Sequence, residues 1–313
     1  MRRRFPFPPD ALIGRTGWAK VPDDFDDWGR RIHDDVVGIL PAGWSFEDKR
    51  VLDFGCGAGR ALRHFGAEAE VAEIHGCDID EPSIAWLREN LSPPFHVALS
   101  REDPPLPHES ESFDLVLAQS VFTHLTDRWS AWLLELHRIL RPGGLLVATF
   151  IGQGARHGVP GLEWSEYDTG MNVVRHGESW DRGGPIVLHS EWWIRAHWGR
   201  AFEVLKLHPS GFAFPRDRAN GQGVTLLVKR PVELTPAELE APEPGEPREL
   251  AALRANIRQL HAESEFFRNE TERLSRELDA IVGYERTLSW RLTAPLRRVR
   301  SLVSRGRDGA PRR

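Results

Sequence analysis

The chain is expected to fold as an α/β protein built on a parallel sheet, on three observations. Strand-like apolar runs alternate with helix-like amphipathic ones up to about Arg230, the rhythm of a sheet covered by helices on both faces. One such run, VLDF (Val51–Phe54), leads straight into a loop holding Gly55, Gly57 and Gly59. A second, VAEIHGCDID, ends in Asp78 and Asp80. At 313 residues, 40% hydrophobic and 28% charged, the chain can bury one sizeable core and keep sequence for an appendage.

Taken in order, Trp28, Ile32, Val36, Ile39 and Leu40 keep helical spacing until Pro41 stops them, which predicts a helix ahead of the sheet. VLDF is the first strand. Its three glycines form a turn into a helix predicted to begin near Arg60, where unpaired N–H groups favour anionic groups. The loop reads G-x-G-x-G, so it departs from the G-x-G-x-x-G of a dinucleotide site. A plain tight turn would also account for the loop alone. Asp78 removes most of that ambiguity, because it follows Gly59 by 19 residues, close to the interval of about 20 at which an acid reaches a ribose hydroxyl. FHVAL is a third strand, followed by Glu102 and Asp103. SFDLVLAQSVF is a fourth and leads to His124. A helix carrying Trp132, Leu133, Leu136, Ile139 and Leu140 ends at RPGG before a fifth strand, LLVATF.

The run from Val51 to Phe150 resembles the class I S-adenosylmethionine-dependent methyltransferases. It carries a VLDxGCGxG loop, a GxDI acidic motif, an LPxxxxSFD segment and an HRxLRPGG turn, in that order and over about a third of the chain. The resemblance implies a Rossmann-like seven-stranded sheet whose last pair is antiparallel. The helix through WWIRAHW, the strand FEVLKL and the strand VTLLVKR would complete it.

The same resemblance implies roles for single residues toward S-adenosyl-L-methionine. Gly55, Gly57 and Gly59 let the loop pass under the methionine and ribose portions, and Asp53 bonds the amino end. Asp78 holds the ribose diol and Ile79 packs on adenine. Glu102 aligns with the acid that bonds the adenine amino group, with Asp103 as the neighbouring choice. Gln119 and Ser120 line the pocket near the methionine chain. Arg60 either meets the methionine carboxylate or is a surface arginine. Cys56 belongs to the loop, and both it and Cys77 read as small buried residues with no nucleophilic role.

The chemistry asks for little beyond orientation, since a sulfonium is already a good leaving group. A poorly acidic acceptor such as a sugar hydroxyl also needs a base. His124, just past the fourth strand, is the first candidate, and its plain alternative is a cap or packing role at the following helix. His189 is the second candidate, although Ser190 reads as an N-cap with His189 just outside the helix. The segment 152–188 carries Trp164, Tyr167, Met171, His176, Trp180 and Asp181 among glycines and is expected to be an acceptor-side insertion. Trp192, Trp193 and Trp198 read as core residues of their helix.

The formal net charge of −5 gives no global basic footprint, so no nucleic-acid partner is expected. Two cysteines are too few for a disulfide framework or a structural zinc site, so no metal is expected and a reducing, cytoplasmic compartment is. No run of 18 apolar residues occurs.

Five regions follow. Residues 1–48 form an N-terminal segment and helix over the cofactor site, and 49–230 the methyltransferase domain. The stretch 231–249, rich in Pro and Glu, is expected to be an extended, solvated linker. In 250–285 the apolar positions Leu250, Leu253, Ile257, Leu260, Phe267, Leu274, Leu278 and Ile281 step by three and four, with Ser264 and Thr271 in the gaps, which is a heptad pattern for a self-associating coiled coil. The tail 286–313 is basic and amphipathic, suited to an anionic membrane surface or an acidic partner. Its LSWRLTAPLR resembles a tail found after coiled coils in bacterial glycosyltransferases and other proteins of surface-polysaccharide assembly. The reading is methyl transfer to a hydroxyl of a sugar or glycan intermediate. The alternatives are N- or C-methylation of a small metabolite, and a cofactor-binding scaffold for polysaccharide enzymes.

Overall fold

The computed structural model describes residues 5–16, 21–154, 164–177, 179, 184–214 and 219–285. The chain divides into two units, Met1–Leu260 and His261–Arg313.

The first unit is organised by one seven-stranded sheet. Its strands are β1 (Arg50–Phe54), β2 (Glu73–Asp78), β3 (His96–Leu99), β4 (Phe113–Ala118), β5 (Leu140–Phe150), β8 (Phe202–Phe212) and β9 (Gln222–Lys229), in the order β3-β2-β1-β4-β5-β9-β8. The pairs among β1 to β5 are parallel, and β9 runs antiparallel to both β5 and β8. This is the Rossmann-like methyltransferase sheet expected from the sequence, with its antiparallel closing pair. A small antiparallel ribbon, β6 (Met171–Val174) with β7 (Ile186–His189), belongs to the segment after β5 and is bridged to it at Ile151 and Leu188.

Central strands buried on both faces should be apolar throughout. Val51 and Leu52, with no exposure, point to opposite faces of β1. Leu52 packs with α4 (Trp129–Ile139) and α5 (Glu191–Ala201) through Trp132, Leu136 and Trp198. Val51 packs on the other face with α2 (Pro22–Ile39) and α3 (Glu81–Asn90) through Ile32, Val36, Ile84 and Leu87. A short N-terminal helix, α1 (Asp10–Ile13), adds Leu12 and Ile13 to a third cluster with Phe25 and Ala58.

Two expectations are corrected. The segment after the glycine loop is a 3-10 helix, Leu62–Gly66, with Phe65 off helical geometry at φ −84°, ψ 19°. It follows Gly59, at φ +80°, and ends at Gly66, whose added Cβ would meet Phe5 at 2.9 Å. The stretch 231–249 is largely exposed, but it is not extended throughout. It holds α6 (Pro236–Glu240), started by a capping box between Thr235 and Glu238, and Leu239 is fully buried against the main core. Arg200 of α5 donates to the carbonyls of Glu238, Leu239 and Ala241. Leu239, with Leu234 packed beside it, and the carbonyls bonded by Arg200 dock this Pro/Glu-rich stretch.

The last helix, α7 (Pro247–Glu285), starts as part of the first unit. Ala252 is buried, Glu249 bonds His197 at 2.8 Å, and Asn256 accepts from Val173 N–H at 3.0 Å. From His261 onward α7 belongs to the second unit. Among the described residues no helix is long and apolar enough to cross a membrane. The basic tail, with Trp180 and Asp181 of the insertion, lies outside the described residues.

Candidate cofactor and acceptor site

The sheet order reverses between β1 and β4, and ligands of open α/β sheets bind beyond the strand ends at that switch. The loop leaving β1 is shaped for such a ligand. Gly55 has φ +80°, and a Cβ there would lie 2.4 Å from Val121 Cγ2. Gly59, also at φ +80°, would press a Cβ to 2.7 Å from Leu87 Cδ2. Only glycine meets both demands. The N–H groups of Gly55 and Cys56 both donate to Cys77 O, at 2.8 and 3.1 Å, which fastens the loop to the end of β2.

The register Phe54↔Cys77 brings Asp78 beside this loop. Its Oδ2 accepts from Gly57 N–H at 2.7 Å and its Oδ1 from Asp80 N–H at 2.8 Å. Burial pushes the Asp78 carboxyl up, against the backbone donors of Asp80 and Gly57. Asp80 is itself buried and is bonded by Ser83 Oγ and by Arg15 from the N-terminal segment.

Asp53, 3% exposed on β1, is the least satisfied member of the group. Its Oδ2 is buried without a hydrogen-bond partner among the described residues. Burial pushes its carboxyl up to about 7, the Asp78 charge adds to that, and Arg60 opposes it. An orphaned buried acceptor calls for a donor that no described residue supplies. Arg60 is half-buried over the same site, its own pKa brought down to about 10 by burial.

Arg60 Nη2 donates to Gln119 Oε1 at 3.0 Å, and Gln119 Nε2 to Ser120 Oγ at 2.6 Å. Ser120 has φ +58°, unusual for a residue other than glycine, and its N–H donates to Thr149 Oγ1 at 2.8 Å. Gln222, the first residue of β9, closes the chain with Nε2 donating to Ser120 Oγ at 2.8 Å. Arg60, Gln119 and Ser120 are therefore one network. Gln222 and Thr149 were not foreseen from the sequence: the pairing of β4 with β5 at Ala118↔Ala148 brings Thr149 there, and the pairing of β9 with β5 at Phe150↔Gly223 brings Gln222.

The other expected residues divide. Cys56 and Cys77 are buried, and burial followed by the Asp78 charge pushes both thiols up, so neither is a thiolate. Ile79 is 38% exposed, an apolar face left open beside Asp78. Glu102 and Asp103 both face Arg128 at the surface, at 3.3 and 3.0 Å, and neither is hydrogen-bonded to the Asp53–Asp78 group.

His124 follows the turn after β4. Its Nδ1 lies 2.8 Å from Pro185 O, just before β7. A carbonyl only accepts, so Nδ1 carries the hydrogen and Nε2 keeps the lone pair. Burial lowers its pKa, which favours the neutral ring. Thr123 O accepts from Val187 N–H at 2.8 Å, so the β6–β7 ribbon holds this turn at two points. His189 is corrected as a candidate base. It is fully buried, its ring 5.2 Å from that of Trp193 and 5.4 Å from that of Trp198, and burial brings it down to about 3. The strand alternation of β7 turns it into the aromatic core. Trp192, Trp193 and Trp198 are buried, as expected.

Residues 52–148 match the family model of the methyltransferase domain. This domain implies S-adenosylmethionine as the cofactor. The residues present fit it: a positively charged amino group answers the orphaned Asp53 Oδ2, and the bare loop admits a ligand against the backbone. The chain is 32% identical over 105 residues to a malonyl-[acyl-carrier protein] O-methyltransferase of Salmonella typhimurium, covering 34% of this chain and 40% of that protein. It is 32% identical over 130 residues to a fatty-acid O-methyltransferase of Mycolicibacterium smegmatis, covering 41% and 46%. It spans about half or less of the length of these relatives. Among solved structures it is similar to an S-adenosylmethionine-dependent methyltransferase from Mesorhizobium loti, with TM-score 0.45, 15% identity, and 63% of this chain and 96% of that chain covered.

Proposed function

We propose that this chain is a methyltransferase that moves the methyl group of S-adenosylmethionine to an oxygen acceptor, a hydroxyl of a sugar or surface-glycan intermediate. The cofactor supplies, when bound, an electrophilic methyl on a sulfonium that leaves without further activation. The chain binds and orients: Asp78 accepts from a ribose diol, Asp53 from an ammonium, and the Arg60–Gln119–Ser120 network borders the methionine end.

The observation that carries oxygen as the acceptor atom is the fixed tautomer of His124. With Nδ1–H held by Pro185 O, Nε2 is left as the proton acceptor that a hydroxyl requires. Two of the relatives are O-methyltransferases by name, which supports the same atom. The glycan part of the reading rests on the tail sequence alone. The tail, on this reading, meets an anionic membrane surface, and α7 joins copies of the chain.

The test is transfer of labelled methyl to a panel of nucleotide sugars and glycan intermediates, with fatty acids and small amines in parallel. Labelling confined to the glycans supports the reading. Labelling only of amines or lipids overturns it, and no transfer by a protein that binds the cofactor turns it into a scaffold. Co-sedimentation of the full chain with anionic liposomes at low salt tests the tail.

A further inference from the structure

We infer that α7 pairs with a second copy of this chain in parallel and in register. This deepens the self-association proposed above. The helix carries an apolar stripe that is exposed among the described residues: Ile257 is 56% exposed, Leu274 52% and Leu278 60%. The d positions of the heptad are Leu253, Leu260, Phe267, Leu274 and Ile281, all large and apolar, and the a positions Ile257 and Leu278 flank the polar Ser264 and Thr271.

The residues bordering the stripe decide the orientation. From His261 onward the g positions are Glu263, Glu270 and Glu277, and the e positions are His261, Arg268, Ser275 and Val282. One border is wholly acidic, and the other has no acid. In a parallel pair each g residue meets the e residue five positions on in the other helix, so Glu263 faces Arg268 of the partner subunit, and no like charges meet. In an antiparallel pair centred on Phe267, g faces g, which sets Glu263 against Glu270 of the partner subunit on both sides of the seam. Charge therefore permits one orientation and opposes the other.

Engineered cysteines read the orientation directly. Cys56 and Cys77 are buried with thiols pushed up, so they stay silent under mild oxidation. Full-length Leu260→Cys should form a disulfide with itself, as should Leu274→Cys. A mixture of the two variants should give no peptide joining position 260 to position 274 by mass spectrometry. Glu263→Arg should shift the sedimenting species toward the monomer, and adding Arg268→Glu on the same chain should restore the oligomer. A 260–274 link, a monomeric wild-type chain, or failure of the double variant to recover would each overturn the inference. Titration of S-adenosylmethionine on the same variants separates the two readings, because it depends on the crevice and not on α7.

Discussion

Asp78 Oδ2 accepts the Gly57 N–H at 2.7 Å, so the acid expected to hold the ribose also closes the glycine loop on itself. Binding and loop geometry are coupled through one carboxylate. Asp78→Ala is expected to weaken S-adenosylmethionine by about 10- to 100-fold, the range for hydrogen bonds to a charged group. It should also cost about 1–3 kcal/mol of stability by leaving Gly57 N–H without its acceptor. Titration calorimetry and urea denaturation measure the two effects separately.

The loop itself should resist a methyl group. At Gly55 the positive φ and the 2.4 Å approach to Val121 act together, so Gly55→Ala is expected to destabilise by about 1–3 kcal/mol. A shift of the urea midpoint with unchanged slope would register it. Gly38→Ala, in the last turn of α2 with open space around it, is the control and should be neutral or mildly stabilising.

Cofactor affinity should rise with pH near neutrality. The Asp53 carboxyl is raised from an ordinary 3.8 to about 7, so the folded protein holds a proton that the unfolded chain releases between those values. Its contribution to stability is therefore present below 3.8 and is lost as pH rises through about 7. An ammonium on Asp53 Oδ2 favours the ionised form, so binding releases a proton below about pH 7. Calorimetry in buffers of different ionisation enthalpy counts that proton, and Asp53→Asn should abolish it.

His124→Ala is expected to lower turnover by about 10²–10⁴-fold, the contribution of a positioned base, while cofactor affinity stays unchanged. Because burial lowers the His124 pKa, the ring is already neutral at pH 7, and the rate should be flat above neutrality and fall on the acid side. Near-normal turnover in the variant would return His124 to a packing role.

Leu239→Ala tests whether the stretch after β9 is part of the domain. A fully buried leucine truncated to alanine costs about 2–5 kcal/mol, whereas the same change in a solvated linker costs almost nothing. Thermal melting of the full chain distinguishes them.

Local features were legible in the sequence. The strand VLDF, its glycines and Asp78 lie within one β-α-β span, where residue type and spacing determine geometry. The polar network around Ser120 was legible only in part, because Gln222 arrives from a strand more than a hundred residues later through antiparallel pairing with β5. His189 reads as a second candidate base, although the helix start at Ser190 speaks against it. Its burial follows from the pairing of β6 with β7, which composition does not report. The docking of 231–249 was missed because Pro and Glu dominate it, while Leu234, Leu239 and the capping box hold it to the core.

The central claim is that the crevice above β1 and β2 holds S-adenosylmethionine through Asp53 and Asp78. Isothermal titration of the full chain with S-adenosylmethionine and its demethylated product, beside Asp53→Asn and Asp78→Ala, tests it most directly. The account predicts binding of both ligands at one site per chain, lost or strongly weakened in both variants while they remain folded by circular dichroism. Absence of binding to the folded wild-type chain, or undiminished binding to both variants, would contradict it.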